Sequence, residues 1–203
     1  MFDSHTHRLR RNAIVDIDPV GKEGKLRLHK GYFYSVGIHP WNLFKATPAD
    51  IRMLQALAAE PQVLAIGECG LDPKIEGSES LSRNEIIEAQ TTLLTFHISI
   101  SERLSKPLIL HIVKAYPEII ALRKSLRPAQ PWIIHGFRGK PQLARELLAH
   151  GFHLSFGTKY NPASLALTHH PPASSERRTK CLRKKWIGQF WEGITYPLEA
   201  VCR

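Results

Sequence analysis

A parallel (β/α) barrel is the fold class this sequence predicts, and three observations predict it. Short apolar runs recur along residues 1–156, several continuous rather than alternating, as strands covered by helices on their outer side require. Capped helical patterns lie between the later runs, so the order becomes strand, helix, strand, helix. Metal-binding residue types stand at the ends of five runs, which a barrel gathers on one face. An open doubly wound sheet satisfies the first two observations as well and remains the alternative.

The first run, Met1-Phe2, leads into Asp3-Ser4-His5-Thr6-His7. Residues two apart on a strand share a face, so His5 and His7 converge on one point, a half-site for a divalent metal. Residues 13–17, 32–38, 63–67, 107–112, 131–134 and 153–156 read as the further strands. Thr47 caps a helix with Pro48 in its first turn and Asp50 three residues on, its face formed by Ile51, Leu54, Leu57 and Ala58. Ser82 and Glu85 form a second capping box, opening a long pattern through Ile86, Leu93, Leu94, His97 and Leu104. Within it, residues 95–101 alternate β-branched with polar residues and also read locally as strand; length and capping favour helix. Pro117 starts a helix through Ile120 and Leu122, and Pro141 starts one that ends at Gly151. Asn161-Pro162 begins a last short turn, after which no eighth strand is legible. The barrel therefore shows seven strands, with the eighth missing or degenerate.

At 203 residues and 43% hydrophobic content the chain can bury one sizeable core, expected over residues 1–168. Residues 169–203 form an atypical basic tail with seven Lys or Arg against three Glu. No run approaches membrane-spanning length and no apolar signal core opens the chain, so the expectation is a cytoplasmic protein, monomeric by default. Three widely spaced cysteines form no paired metal-binding pattern and argue against a disulfide scaffold. A formal net charge of +10 suits an anionic partner such as nucleic acid, and equally a merely basic surface.

The strand ends carry His5 and His7, then His39, Glu68, His111 and His135. His29, His97, His150 and His153 read instead as solvated or internally satisfied histidines, and Cys69 as a small buried hydrophobe. Asp72 reads either as an acceptor behind a ligand or as a turn residue before Pro73. Lys114 and Arg138 follow two of the strand ends closely enough to help hold phosphate, or are ordinary surface charges.

In order and spacing, Asp3-Ser4-His5-Thr6-His7, Val36-Gly37-Ile38-His39-Pro40, Ala65-Ile66-Gly67-Glu68-Cys69-Gly70-Leu71-Asp72, Leu110-His111 and Ile134-His135-Gly136-Phe137-Arg138-Gly139 resemble the motifs of TatD-type metal-dependent deoxyribonucleases, of the wider amidohydrolase-like barrel superfamily. The resemblance covers about residues 1–168. It implies a hydrolase of phosphodiester bonds, with DNA as the expected substrate and two divalent metal ions: Zn, Mn, Fe or Ni, with Mg less comfortable among imidazoles. Carried over, His5 and His7 bind metal one, Glu68 bridges as the catalytic carboxylate, and His111 and His135 bind metal two. His39 resembles a position beside the substrate phosphate; its other reading is a capped strand-end histidine. Lys114 and Arg138 join it as candidate substrate contacts.

The chain departs from the family pattern at its end. Such proteins carry an aspartate after strand eight that binds metal and accepts a proton from the attacking water, whereas Asp72 is the last aspartate here. A frame-shifted or divergent C-terminus accounts for that loss, and the alternative function is an impaired member that binds metal or nucleic acid without turnover.

Overall fold

The computed structural model describes residues 3–76 and 78–169. Met1, Phe2 and the basic tail from His170 onward, with the stretch expected to hold any eighth strand, lie outside the described residues. The described chain runs β1 (Asp3–Thr6), β2 (Ala13–Ile17), β3 (Phe33–Val36), a 3₁₀ turn (Pro40–Asn42), α1 (Pro48–Ala59), β4 (Val63–Leu71), α2 (Arg83–Leu104), β5 (Leu108–Ile112), α3 (Tyr116–Leu126), β6 (Trp132–Ile134), α4 (Pro141–Ala149), β7 (His153–Leu154) and α5 (Pro162–His169). The strands form one seven-stranded sheet in the order β1 to β7, every neighbouring pair parallel. The sheet curls into a half-barrel far enough to bring the rings of His5 on β1 and His135 after β6 to 4.0 Å. No helix among the described residues is long and apolar enough to cross a membrane.

Alternation along the strands separates two layers. Val15, Ile17, Leu108, Leu110, Ile112, Trp132 and Ile134 belong to the large outer core under the helices, while Ile14, Ala65 and Ile109 form a small inner cluster. Asp16 and His111 continue the inner-facing positions of β2 and β5 one step beyond Ile14 and Ile109. The barrel floor is therefore apolar and its mouth polar.

The helices form for the reasons expected. Thr47 with Asp50, and Ser82 with Glu85, make complete capping boxes, and Pro48 sits in the first turn of α1. α2 runs unbroken through residues 95–101. The hydroxyls of Thr91 and Thr95 donate to the carbonyls of Ile87 and Thr91, and His97, Ile98 and Ile100 are buried, so packing overrides the β-branched propensity. It ends on Ser105 in the left-handed conformation.

β3 and β7 are shorter than expected, Phe33–Val36 against 32–38 and His153–Leu154 against 153–156, whereas β4 is longer. β4 continues four residues past Gly67, because it carries an extra residue there: Ile66 pairs with Leu108, but Cys69 pairs with Leu110. Gly67 and Gly70 have φ of 132° and 149°, and a Cβ at either position would fall on a β5 carbonyl oxygen, that of Ile109 or of His111. Glycines that look like strand terminators are what let β4 and β5 approach closely at this irregularity.

Candidate metal centre

Glu68 is the hub of the polar mouth. It is buried on β4, and its two carboxylate oxygens face different imidazoles. Oε2 lies 3.1 Å from His5 Nε2 and 3.7 Å from His7 Nε2. Oε1 lies 3.0 Å from His111 Nδ1 and 3.9 Å from His39 Nε2. The donor atoms of His5, Glu68 and His135 lie within 4.8 Å of one another, as do those of His39, Glu68 and His111 and those of His7, Asp16 and Glu68. All five expected ligands are thus brought together, with His135 on the His5 side. His5, Glu68 and His111 belong to their strands rather than following them.

Asp16 is the residue that sequence reasoning missed. Its Oδ1 accepts the Glu68 backbone N–H at 2.8 Å and the Ser35 hydroxyl at 3.4 Å, and its Oδ2 lies 3.5 Å from His7 Nδ1. A carboxylate inside the apolar run Ala13–Ile17, two positions from both Ile14 and Asp18, was the available signal. Asp18, one step further, accepts the backbone N–H of His39 at 3.0 Å and Asn42 Nδ2 at 2.8 Å.

Asp72 fills both roles open to it. Oδ1 accepts the Lys74 backbone N–H at 3.0 Å, a local turn bond, while Oδ2 lies 3.2 Å from His111 Nε2 and accepts Trp41 Nε1–H at 2.7 Å. α2 holds this arrangement from below. Gln90 Oε1 accepts the Asp72 backbone N–H at 2.9 Å and Gln90 Nε2 donates to the Asp72 carbonyl at 2.7 Å. Two turns on, His97 Nε2 accepts the backbone N–H of Ile38 at 2.9 Å, beside His39.

Electrostatics follow from this geometry. Burial pushes the Glu68 carboxyl up, but hydrogen bonds and charge from His111 and His5 outweigh it and hold it well below the usual carboxylate range. Burial likewise lowers His111, and Glu68 and Asp72 together overcome it, so that ring is raised. His7 is raised by its bond to Asp16. His135 is pushed down to about 4 by burial and by the neighbouring His5. His39 is lowered by burial and by His111. Its Nδ1 accepts the Trp41 backbone N–H at 3.2 Å, so the neutral ring carries its proton on Nε2. A ring in that tautomer donates from Nε2 and does not ligate through it.

The residue set fits a cation. A central carboxylate surrounded by neutral or neutralisable imidazoles, two of them, His7 and His111, backed by a further carboxylate, is a ligand shell with orienting partners in place. His135 Nδ1 is buried with no hydrogen-bond partner among the described residues, a polar cost that a bound cation removes. Lys114 and Arg138 are exposed on the loops leaving β5 and β6, and among the described residues neither forms an ion pair with the cluster. Lys114 adopts φ 50°, and its carbonyl accepts from Arg83. Cys69, beside Glu68, is buried with its thiol pushed up by burial, as expected of a small hydrophobe.

Comparison with known proteins identifies the family. The family described as TatD related DNase matches residues 3–170. A protein of Cronobacter turicensis named 3'-5' ssDNA/RNA exonuclease TatD is 33% identical over 136 residues, which are 63% of this chain and 46% of that protein. The Bacillus subtilis metal-dependent hydrolase YabD, itself uncharacterized, is 29% identical over 126 residues, 62% of this chain and 47% of that one. Thus the chain spans about half the length of the curated relatives it matches. Among solved structures, a TatD-family hydrolase from Entamoeba histolytica superimposes with a TM-score of 0.57 at 20% identity, over 83% of this chain and 57% of that one. The TatD homolog YjjV of Escherichia coli gives 0.54 at 22% identity, over 70% and 54%. These two likenesses speak for the fold.

Proposed function

The chain belongs to the TatD-related DNase family, and on that premise we propose that it hydrolyses phosphodiester bonds in nucleic acid at a dinuclear metal site bridged by Glu68. The observation that carries the proposal is the division of labour on one carboxylate, Oε2 toward His5 and His7 and Oε1 toward His111. His5, His7 and His135 would hold one ion with Glu68 on its Oε2 side and His111 would hold the other on its Oε1 side, so the pairing of His135 with His111 implied by the resemblance is replaced by one with His5, whose ring lies 4.0 Å away. When bound, two divalent ions neutralise the phosphodiester oxygens, lower the pKa of a water and stabilise the leaving alkoxide.

The remaining residues orient and bind. Asp16 fixes the Glu68 backbone and braces His7, and Asp72 fixes His111 from its far nitrogen. His39 donates from Nε2 to a non-bridging phosphate oxygen, its tautomer set by the Trp41 backbone N–H. Lys114 and Arg138 hold the flanking phosphates. DNA is the proposed substrate; the exonuclease relative's name, which includes both ssDNA and RNA, supports single strands of either sugar.

The test is metal content and turnover measured together. The purified chain, stripped and reloaded with Mn²⁺ or Zn²⁺, is expected to bind two ions per chain and to degrade labelled single-stranded DNA, with both properties lost in Glu68→Gln. Degradation that survives Glu68→Gln would refute the assignment. A second reading is metal and nucleic-acid binding without turnover. Two bound ions and no cleavage would establish it.

A further inference from the structure

We propose that Trp41 is the platform on which a nucleobase of a single-stranded substrate stacks beside the metal donors. The inference rests on the hydrolase reading above and deepens it, naming the part of the substrate that imidazoles and carboxylates do not recognise.

Trp41 is 53% exposed, although indole is the largest apolar side chain available for burial. It is nevertheless held in place. Its Nε1–H donates to Asp72 Oδ2 at 2.7 Å, and its backbone N–H donates to His39 Nδ1 within the 3₁₀ turn that follows His39. An exposed tryptophan usually signifies little by itself. This one stands with its ring centre 4.7 Å from that of His39 and 5.6 Å from that of His111, at the lip of the donor cluster.

A nucleotide whose phosphate is bound by His39 Nε2 has its base one sugar away, within the span that Trp41 covers. Base and indole have matching flat apolar faces, and stacking tolerates any base because every base has a π-face. A paired base in a duplex is already stacked on both sides, so the platform selects unpaired strands. Since the ring is fixed before binding, little ordering entropy opposes the contact. Phe44, 52% exposed on the same segment, makes no ring contact with the cluster among the described residues and provides the comparison.

The experiment measures binding by fluorescence polarisation of a labelled five-nucleotide single strand, against the same strand with abasic sites in place of its bases. The chain is loaded with Mn²⁺, and phosphorothioate linkages in both strands keep the probes intact. The full chain is expected to bind the base-bearing strand roughly tenfold more tightly than the abasic one. Trp41→Ala is expected to erase that ratio, whereas Phe44→Ala keeps it. Trp41→Phe, which retains a ring face but loses the N–H bonded to Asp72, is expected to keep most of it. Ribo- and deoxyribonucleotide probes serve as parallel arms, and an indole face that ignores the sugar gives the same ratio in both.

Quenching of the wild-type indole emission by the base-bearing strand, absent in Trp41→Phe although that variant still binds, is the expected spectroscopic signature. Equal affinity for base-bearing and abasic strands overturns the stacking while leaving the hydrolase reading intact. Trp41→Phe as damaging as Trp41→Ala also overturns it, assigning the residue to Asp72 alone. Failure of the wild-type chain to bind either strand overturns both readings.

Discussion

Replacing His97 by glutamine tests how α2 supports the site, and the structure sets the size of the effect. His97 is fully buried, accepts the Ile38 backbone N–H through Nε2 and lies 2.8 Å from the Leu93 carbonyl through Nδ1. Burial lowers its pKa from 6.5 to about 4, the Leu93 carbonyl opposing only in part. Between those values the unfolded chain binds a proton that the folded chain refuses, so stability rises with pH across this window. The contribution is complete above pH 6.5 and lost as pH falls toward 4, amounting to about 3 kcal/mol in full. At about pH 4.5 most of it, roughly 2–3 kcal/mol, is gone. The amide introduced by His97→Gln does not titrate, so urea unfolding followed by circular dichroism should show a wild-type loss between about pH 8 and pH 4.5 that exceeds the variant's by that amount. His153, lowered to about 4 by burial and by Arg123, titrates in the same window in both proteins and cancels in the comparison. Equal losses in the two proteins would refute a buried neutral His97 and, with it, its hold on the segment leading to His39.

Three further outcomes are expected. Asp16→Asn weakens metal binding by roughly 10- to 100-fold, the usual cost of removing a ligand's orienting partner, as read by calorimetric titration with Mn²⁺; unchanged affinity would remove Asp16 from the site. Gly70→Ala places a methyl group on the His111 carbonyl oxygen, and a fall of several degrees in melting temperature accompanied by lost metal binding is expected; normal metal content would contradict the close approach of β4 and β5. Chelation of the loaded protein removes about 2.7 kcal/mol of stability relative to metal at roughly a hundred times its dissociation constant. An unshifted melting temperature after chelation would indicate that the cluster holds no ion under those conditions.

Much of this architecture was legible because it depends on periodicity. The seven strands and the capped helices follow from apolar runs and from Thr47, Asp50, Ser82 and Glu85, all local signals. His5, His7, Glu68, His111 and His135 were legible as a group because a parallel sheet brings successive strand mouths to one edge. Long-range hydrogen bonds left no such trace. Asp16 was hidden inside an apolar run, although its two-residue spacing from Ile14 marked the inner face. Gln90 gave no hint that it would grip the backbone of Asp72, eighteen positions earlier. The end of β4 was misplaced for another reason: glycines at 67 and 70 resemble terminators in sequence, whereas here they allow two backbones to meet.

The extra residue in β4 has a consequence for which changes the site can tolerate. From Ile66 to Cys69 the strand advances three positions while β5 advances two, although all four paired residues face the outer core. Two residues therefore stand where a regular strand has one: Gly67 makes the close approach to the Ile109 carbonyl, and Glu68 gives its backbone N–H to Asp16 and its carboxylate to the imidazoles. Loss of one residue here would leave Ile66 opposite Leu108 and Cys69 opposite Leu110, so the sheet on both sides would keep its register. A single residue would then have to fill both roles, and the donors would lose the geometry of their hub although the surrounding pairing survives. The four-letter spelling Gly-Glu-Cys-Gly is therefore as much a constraint on chain length as on chemistry, and insertions or deletions within it should prove more damaging than most substitutions.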